Sequence, residues 1–175
     1  MGPHMSTEEA MARSLIRDTL ARYNIAGDSK DTAGFVDVFT EDAIFSSANF
    51  HFEGKAAIDA FVKKWFFAVP KQPRPTAKFI RHNLTTTQID FTGPNTANGL
   101  VYYYVLSDIG PDHSGHYVDK YRKEQGRWLI CQREALVEWC NPASVFVPEK
   151  TKRRLIESNP DGQAFKALGK MTGDA

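Results

Sequence analysis

Four long segments rich in β-branched and aromatic residues fill the second half of the chain, and they constrain its fold more than any other feature. They run Ala77–Phe91, Ala97–Ser107, Ser114–Glu124 and Arg127–Trp139. Their connectors, Gly93-Pro94-Asn95, Gly110-Pro111-Asp112 and Gln125-Gly126, are turn chemistry that joins antiparallel neighbours. Helical periodicity is confined to the part before them. Helices first, then a meander of four strands, describe an α+β domain with a strongly curved sheet.

The helical part begins at Ser6-Thr7-Glu8-Glu9, a capping box, followed by Leu15, Ile16, Leu20 and Tyr23 at helical spacing. This predicts a first helix to near Ala26, closed by Gly27, with Asp28 just past its end. A short helical piece follows, with Phe35, Val36 and Phe39 as its apolar stripe. Ala43 to Phe52 reads as a strand with a polar interruption at Ser46-Ser47. Gly54 turns the chain into a third helix, Lys55 to about Ala68, carrying Ala57, Ile58, Phe61, Val62, Trp65 and Phe66. Pro70, Pro73 and Pro75 end it. Residues 1–5, Met-Gly-Pro-His-Met, read as a cloning scar, residues 6–148 as one domain, and 149–175 as a partly helical tail with a weakly helical stretch near Phe165.

Composition narrows the function classes. Lysine plus arginine number 22 against 21 acids, a net charge of +1, so no broad field for nucleic acid or an anionic membrane is expected. No apolar run reaches the ~20 residues of a membrane helix, and no secretory leader opens the chain, so a cytoplasmic location is expected. Two cysteines, Cys131 and Cys140, build no disulfide framework and read as buried thiols. Aromatic residues make up 12% of the chain, enough to fill a core, line a cavity or cover an interface.

Strand parity sorts the polar candidates. His82 shares a face with Ile80 and Leu84. Tyr117, Asp119 and Tyr121 share another. Arg133 falls with Leu129, Cys131, Ala135 and Val137, while Glu134 and Glu138 fall opposite and read as solvent-facing. A His and an Arg on apolar faces of one sheet need partners, since unpaired burial is costly. Asp28 is one such partner. Each residue also has a structural reading: His82 as a hydrogen-bonded core residue, Arg133 as an ion pair, Asp28 as a helix cap. Asp119 is either a second pocket acid or the structural partner of Arg133. His113 and His116 sit on a turn and at the start of a strand and lack a third ligand, so no metal site is expected. His116 has the outward parity.

The stretch from Ile16 to Trp139 resembles the SnoaL-like branch of the NTF2-like superfamily. The matching pieces are Tyr23 with Asp28, Phe39-Thr40-Glu41-Asp42-Ala43-Ile44-Phe45, Gly54-Lys55-Ala56-Ala57-Ile58, Arg81-His82-Asn83, Gly115-His116-Tyr117-Val118-Asp119-Lys120-Tyr121 and Gly126-Arg127-Trp128-Leu129-Ile130. The resemblance implies a cone-shaped α+β barrel, in which a curved antiparallel sheet encloses a pocket closed by three helices. Within the superfamily the sequence is most similar to the scytalone dehydratase and hexachlorocyclohexane dehydrochlorinase lyases. Those enzymes use a His–Asp dyad, carried over here as His82 and Asp28, and the dehydrochlorinase has an arginine at the spacing of Arg133 from Trp128. Gly27, Tyr117 and Tyr23 stand where those relatives have substrate-recognising groups, so only the dyad is carried over.

The resemblance implies a cofactor-independent lyase or isomerase of dehydratase, cyclase or isomerase type. The expected substrate is a small apolar metabolite, such as a polyketide- or terpenoid-like intermediate. His82, Asp28 and Arg133 are the expected catalytic residues. Tyr23, Tyr117, Asp119, Phe50, Trp65, Tyr102 and Tyr104 are the expected substrate wall. The competing readings are a non-catalytic ligand binder or assembly module, and a structural subunit like the β subunit of ring-hydroxylating dioxygenases. A homodimer or homotrimer through the outer sheet face is expected.

Overall fold

A computed structural model describes residues 5–66 and 78–158. Helix α1 spans Thr7–Ser29, with the Ser6 hydroxyl accepting from the Glu9 amide as its N-cap. It is longer than the periodicity predicts. Gly27 continues the helix, and Lys30 in the left-handed region (φ 59°) closes it by donating to the carbonyls of Ala26 and Gly27. Asp28 therefore sits in the last turn of α1 rather than beyond it. Helix α2 is Thr32–Asp37, capped by Asp31.

The expected single strand Ala43–Phe52 is a hairpin. Strand β1 runs Phe39–Ser47 and β2 runs Phe50–Glu53. The polar interruption marks the turn, where Ser47 Oγ accepts from the Asn49 amide at 3.0 Å. Phe39 opens β1 instead of closing a helix, because its backbone pairs with Ile130. Helix α3 is Lys55–Phe66. The expected extension to Ala68, the three prolines after it, Ala77 and the stretch near Phe165 lie outside the described residues.

The four long strands are β3 (Ile80–Gly93), β4 (Thr96–Ser107), β5 (Gly110–Glu124) and β6 (Arg127–Cys140). The sheet order is β2-β1-β6-β5-β4-β3. Every neighbour is antiparallel except β1 and β6, which run parallel. The sheet is curved but not closed into a barrel, so the expected cone is an open one. Register shifts between Leu84 and Thr87, Ser114 and Gly115, and Lys120 and Tyr121 bend the long strands. The β5–β6 turn has Gln125 and Gly126 both at positive φ, the geometry of a tight two-residue hairpin.

One of these bulges changes a parity assignment. It leaves Cys131 as the extra, unpaired residue of β6, so the inward residues N-terminal to Arg133 are Trp128 and Ile130, not Leu129 and Cys131. Cys131 and Cys140 are only half-buried free thiols.

Helix α1 crosses the concave face with Ile16, Leu20 and Tyr23 buried. Two polar ties hold it there. Thr19 Oγ1 donates to the Trp128 carbonyl at 2.6 Å, and Arg13 Nη1 donates to the Ile89 carbonyl at 2.7 Å. Helix α4, Glu149–Ser158, follows β6. Thr151 Oγ1 accepts from Asn49 at 2.8 Å, joining it to the β1–β2 turn. No helix among the described residues is long and apolar enough to cross a membrane.

Gly115 lets β5 approach β6 closely, since a Cβ there would collide with the Leu136 carbonyl. Gly115→Ala should cost about 1–3 kcal/mol by urea unfolding. An unchanged midpoint and slope would show that the strands part freely.

Candidate active site

Asp28 and His82 meet at the edge of the sheet. Asp28 Oδ1 lies 2.6 Å from His82 Nδ1, and its Oδ2 accepts the His82 backbone N–H at 3.0 Å. A carboxylate only accepts, so Nδ1 carries the imidazole proton and Nε2 keeps a free lone pair. An acid in the last turn of a helix opposes the helix dipole, which favours a cation there. The two bonds from His82 offset that and fix the ring against the end of α1. Both side chains are mostly buried.

A groove of about 560 Å³ reaches His82. Arg17, Ala21 and Asn24 of α1 line one side, and His82, Leu84 and Tyr104 line the other. Asn24 is buried, and its Oδ1 has no hydrogen-bond partner.

Arg133 is placed differently from the expectation of a catalytic group. Its side chain is fully buried and forked on Asp119, with Nε to Oδ1 at 2.8 Å and Nη2 to Oδ2 at 2.7 Å. Tyr121 Oη donates to the same carboxylate at 2.5 Å. The rings of Tyr23 and Tyr117, edge to face with each other at 5.9 Å, both pack against the guanidinium, 4.1 and 4.2 Å from Cζ. Burial disfavours the Arg133 charge, and Asp119 more than offsets it, so the guanidinium stays protonated. Arg133 is thus a paired core charge, and Asp119 is its structural partner rather than a second pocket acid. Its remaining nitrogen, Nη1, has no partner. Burial raises the Tyr23 and Tyr117 phenols, Arg133 lowering both, so they stay neutral.

The tyrosine run faces as strand alternation requires, but the inward member is Tyr103. It stacks on Tyr117 with centroids 4.6 Å apart and donates to the Leu136 carbonyl at 2.9 Å. Burial pushes its phenol well up. Tyr102 is on the outer face beside His116, 6.4 Å between centroids, and is not brought to the dyad. Tyr104 shares that parity and is exposed, reaching only the rim of the groove. Phe50 and Trp65 belong to a second aromatic group. Phe50 packs on Phe45 at 4.9 Å and on Phe61 at 4.9 Å, and the half-exposed Trp65 stacks on Phe61 at 5.9 Å.

The residue that sequence reasoning missed is His113. It was placed on a turn, but β5 starts at Gly110 and carries it onto the inner face. Its ring lies 6.1 Å from that of His82 and 6.1 Å from that of Tyr103. Its Nδ1 is 2.7 Å from Asp112 Oδ1. Asp112 is buried and also accepts from Ser107 at 2.9 Å and Ser144 at 2.6 Å. Burial works against the Asp112 charge, and bonds from Ser144, His113 and Ser107 hold its carboxyl below the usual range. Burial lowers the His113 pKa, aided by the nearby His82 and opposed by Asp112. The Asp112-His113 dipeptide is the only sequence signal, and it sits inside turn chemistry. His116 has the outward parity expected, yet it is buried among its outer-face neighbours, with Glu138 3.3 Å away. Among the described residues no group of three His, Cys, Asp or Glu side chains could hold a metal ion.

Removing one half of the Arg133–Asp119 pair leaves a buried charge unpaired. Arg133→Met alone should cost about 3–5 kcal/mol by urea unfolding, and adding Asp119→Leu should recover most of it. A single variant as stable as the parent would show that the pair holds nothing together.

The family profile of the SnoaL-like domain matches residues 8–134. Solved structures with the same fold include hexachlorocyclohexane dehydrochlorinase LinA-type3 from Novosphingobium barchaimii LL02. It is 16% identical, with a TM-score of 0.64 over 81% of this chain and 97% of that one. ActVI-ORFA from Streptomyces coelicolor is 18% identical, with a TM-score of 0.60 over 73% of this chain and 97% of that one. A protein of unknown function from Nostoc punctiforme PCC 73102, described as having a cystatin-like fold, is 17% identical. Its TM-score is 0.64 over 83% of this chain and all of that one. No curated protein sequence matches the chain. With the profile spanning most of its length and the open cone behind it, the chain belongs to the SnoaL-like family.

Proposed function

We propose that the protein is a cofactor-independent lyase or isomerase that takes a proton from a small, largely apolar metabolite with the His82–Asp28 pair. The observation that carries this reading is the grip of Asp28 on His82. One carboxylate binds both the backbone and Nδ1 of the same histidine. That arrangement presents the Nε2 lone pair as a base and stabilises the imidazolium that forms on proton transfer. The groove beside it is lined mainly by uncharged side chains, which suits a neutral substrate. Asn24 Oδ1, unpartnered at the groove wall, is a polar group that a bound hydroxyl would satisfy.

Proton abstraction proceeds without further helpers. His82 Nε2 takes the proton from a carbon beside an electron-withdrawing group, Asp28 holds the resulting imidazolium, and the same proton can return to another atom of the substrate. Positioned acid–base groups of this kind contribute ~10²–10⁴-fold in rate. Carbonyl-activated C–H bonds are within reach of such an effect.

Deuterium uptake from heavy water at the carbon beside the carbonyl of a small aromatic ketone provides the test, read by NMR. The wild-type protein should accelerate exchange, and His82→Asn should lose ~10²-fold or more of that acceleration. Asp28→Asn should lose a large part of it as well, with the fold checked by circular dichroism. Exchange that persists undiminished in His82→Asn would remove the dyad and favour a ligand-binding role for the groove.

A further inference from the structure

The concave face holds a second His–Asp pair beside the first, and the proposed reaction so far has no use for it. In the sheet, His82 of β3 pairs with Val105 of β4, and Val105 pairs with His113 of β5. Strands two apart in a sheet are separated by ~10 Å. The two rings nevertheless approach to 6.1 Å between centroids, at an angle of 83°. Both therefore converge over Val105, which is buried between them. Each is held the same way, by Nδ1 on a carboxylate, Asp28 for one and Asp112 for the other. Each thus has Nε2 left for a ligand. His113 is 10% exposed at its side chain and His82, which lines the groove, 18%, so neither ring is sealed off and a molecule seated on His82 has His113 as its next neighbour across Val105.

We propose that His113, held by Asp112, is the second proton-transfer group of this pocket. It works opposite His82 on a substrate whose leaving group is a hydroxyl, such as a β-hydroxy carbonyl compound, rather than a halide. This rests on the reading of His82 as the base. Two imidazolium ions this close repel each other, so the two rings do not both carry a second proton. The reacting state is the one in which His82 is neutral and His113, whose charge burial disfavours and Asp112 favours, carries a proton on Nε2. His82 Nε2 takes the proton from the carbon beside the carbonyl, and the electrons of that C–H bond become the new double bond. The C–O bond breaks with its electrons staying on oxygen, and that oxygen takes the proton from His113 and leaves as water. The pair still holds one proton, now on His82, and exchange through solvent restores the starting state. A departing chloride needs no proton and would leave His113 idle.

The groups that face His113 complete the account. They are His82 of β3, Tyr103 and Ser107 of β4, Asp112 of its own strand, Cys140 opposite it on β6, and Ser144 beyond. Asp112 alone supplies an opposing charge, and Ser107 and Ser144 occupy its remaining lone pairs. These bonds would also suit a purely structural histidine, so the test must read more than stability.

His113→Asn keeps an N–H where Nδ1 sits and removes the titrating ring, and His113→Gln is the second variant should the first fail to fold. NMR of histidine-labelled full-length protein follows the imidazoles with pH. In His82→Asn, His113 should titrate at a higher pH than in the wild type, because the like-charged neighbour that helps to lower it is gone. The same proteins are assayed on two probes that form the same enone: the β-hydroxy ketone from benzaldehyde and acetone, and its β-chloro counterpart. His113→Asn should lower the hydroxy-to-chloro rate ratio by ~10²-fold and abolish the alkaline limb of the hydroxy pH profile. His82→Asn should lower both rates. An unchanged ratio with unlinked titrations overturns the role of His113. If His82→Asn also loses both activities in that case, the dyad stands without it. Undiminished turnover in His82→Asn brings down the dyad itself. If neither probe reacts, the titration decides: a His113 that titrates at the same pH with and without the His82 ring overturns the proposal.

Discussion

A guanidinium without solvent contact stands at the centre of the concave face, and the inner packing is arranged around it. Water would stabilise the Arg133 charge far better than hydrocarbon does, so the fold must replace that hydration group by group. The register of β5 and β6 puts Asp119 directly opposite Arg133. Tyr121 adds a hydroxyl to the same carboxylate, and its ring fills the space that Gly99 leaves empty on β4. Tyr23 from α1 and Tyr117 from β5 pack their rings against the guanidinium. One helix and three strands are thereby committed to a single charge. Any shift of α1 relative to the sheet would uncover it.

The same helix carries Asp28 one turn beyond Tyr23, so the seat of α1 sets where the carboxylate meets His82. Packing and chemistry share one rigid body. This links a family fold that serves varied roles to a reading specific to this chain. The fold is common to the family, and a reading of function rests on side chains, here His82 held by Asp28 with His113 beside it.

Much of this was legible in the residues. The four strands follow from composition and turn chemistry, and the shared face of Tyr117, Asp119 and Tyr121 and the apolar neighbours of His82 follow from alternation. The pairing of Asp28 with His82 came from the resemblance, because residues so far apart in sequence carry no local signal for contact. Parity misled where bulges add a residue: Cys131 moved off the face of Arg133 for that reason. It also cannot say which of two alternating sets points inward. Tyr103 was passed over in favour of Tyr102 and Tyr104. His113 was hidden by the strong turn signal of Gly110-Pro111-Asp112, which the strand absorbs as its first residues. Whether an arginine on an apolar face is free or paired depended on Asp119, and sequence left both of its roles open.

The aromatic group of the β1–β2 hairpin and α3 is built on another principle. Phe50, Phe52, Phe61 and Trp65 meet one another through rings, with centroids 4.4 to 5.9 Å apart. In ring packing of this kind, large apolar side chains of similar volume can replace one another at modest cost. The surroundings of Arg133 admit change only in matched pairs, whereas this ring packing admits it one residue at a time, so tolerated substitutions collect in the hairpin and α3 rather than beneath α1.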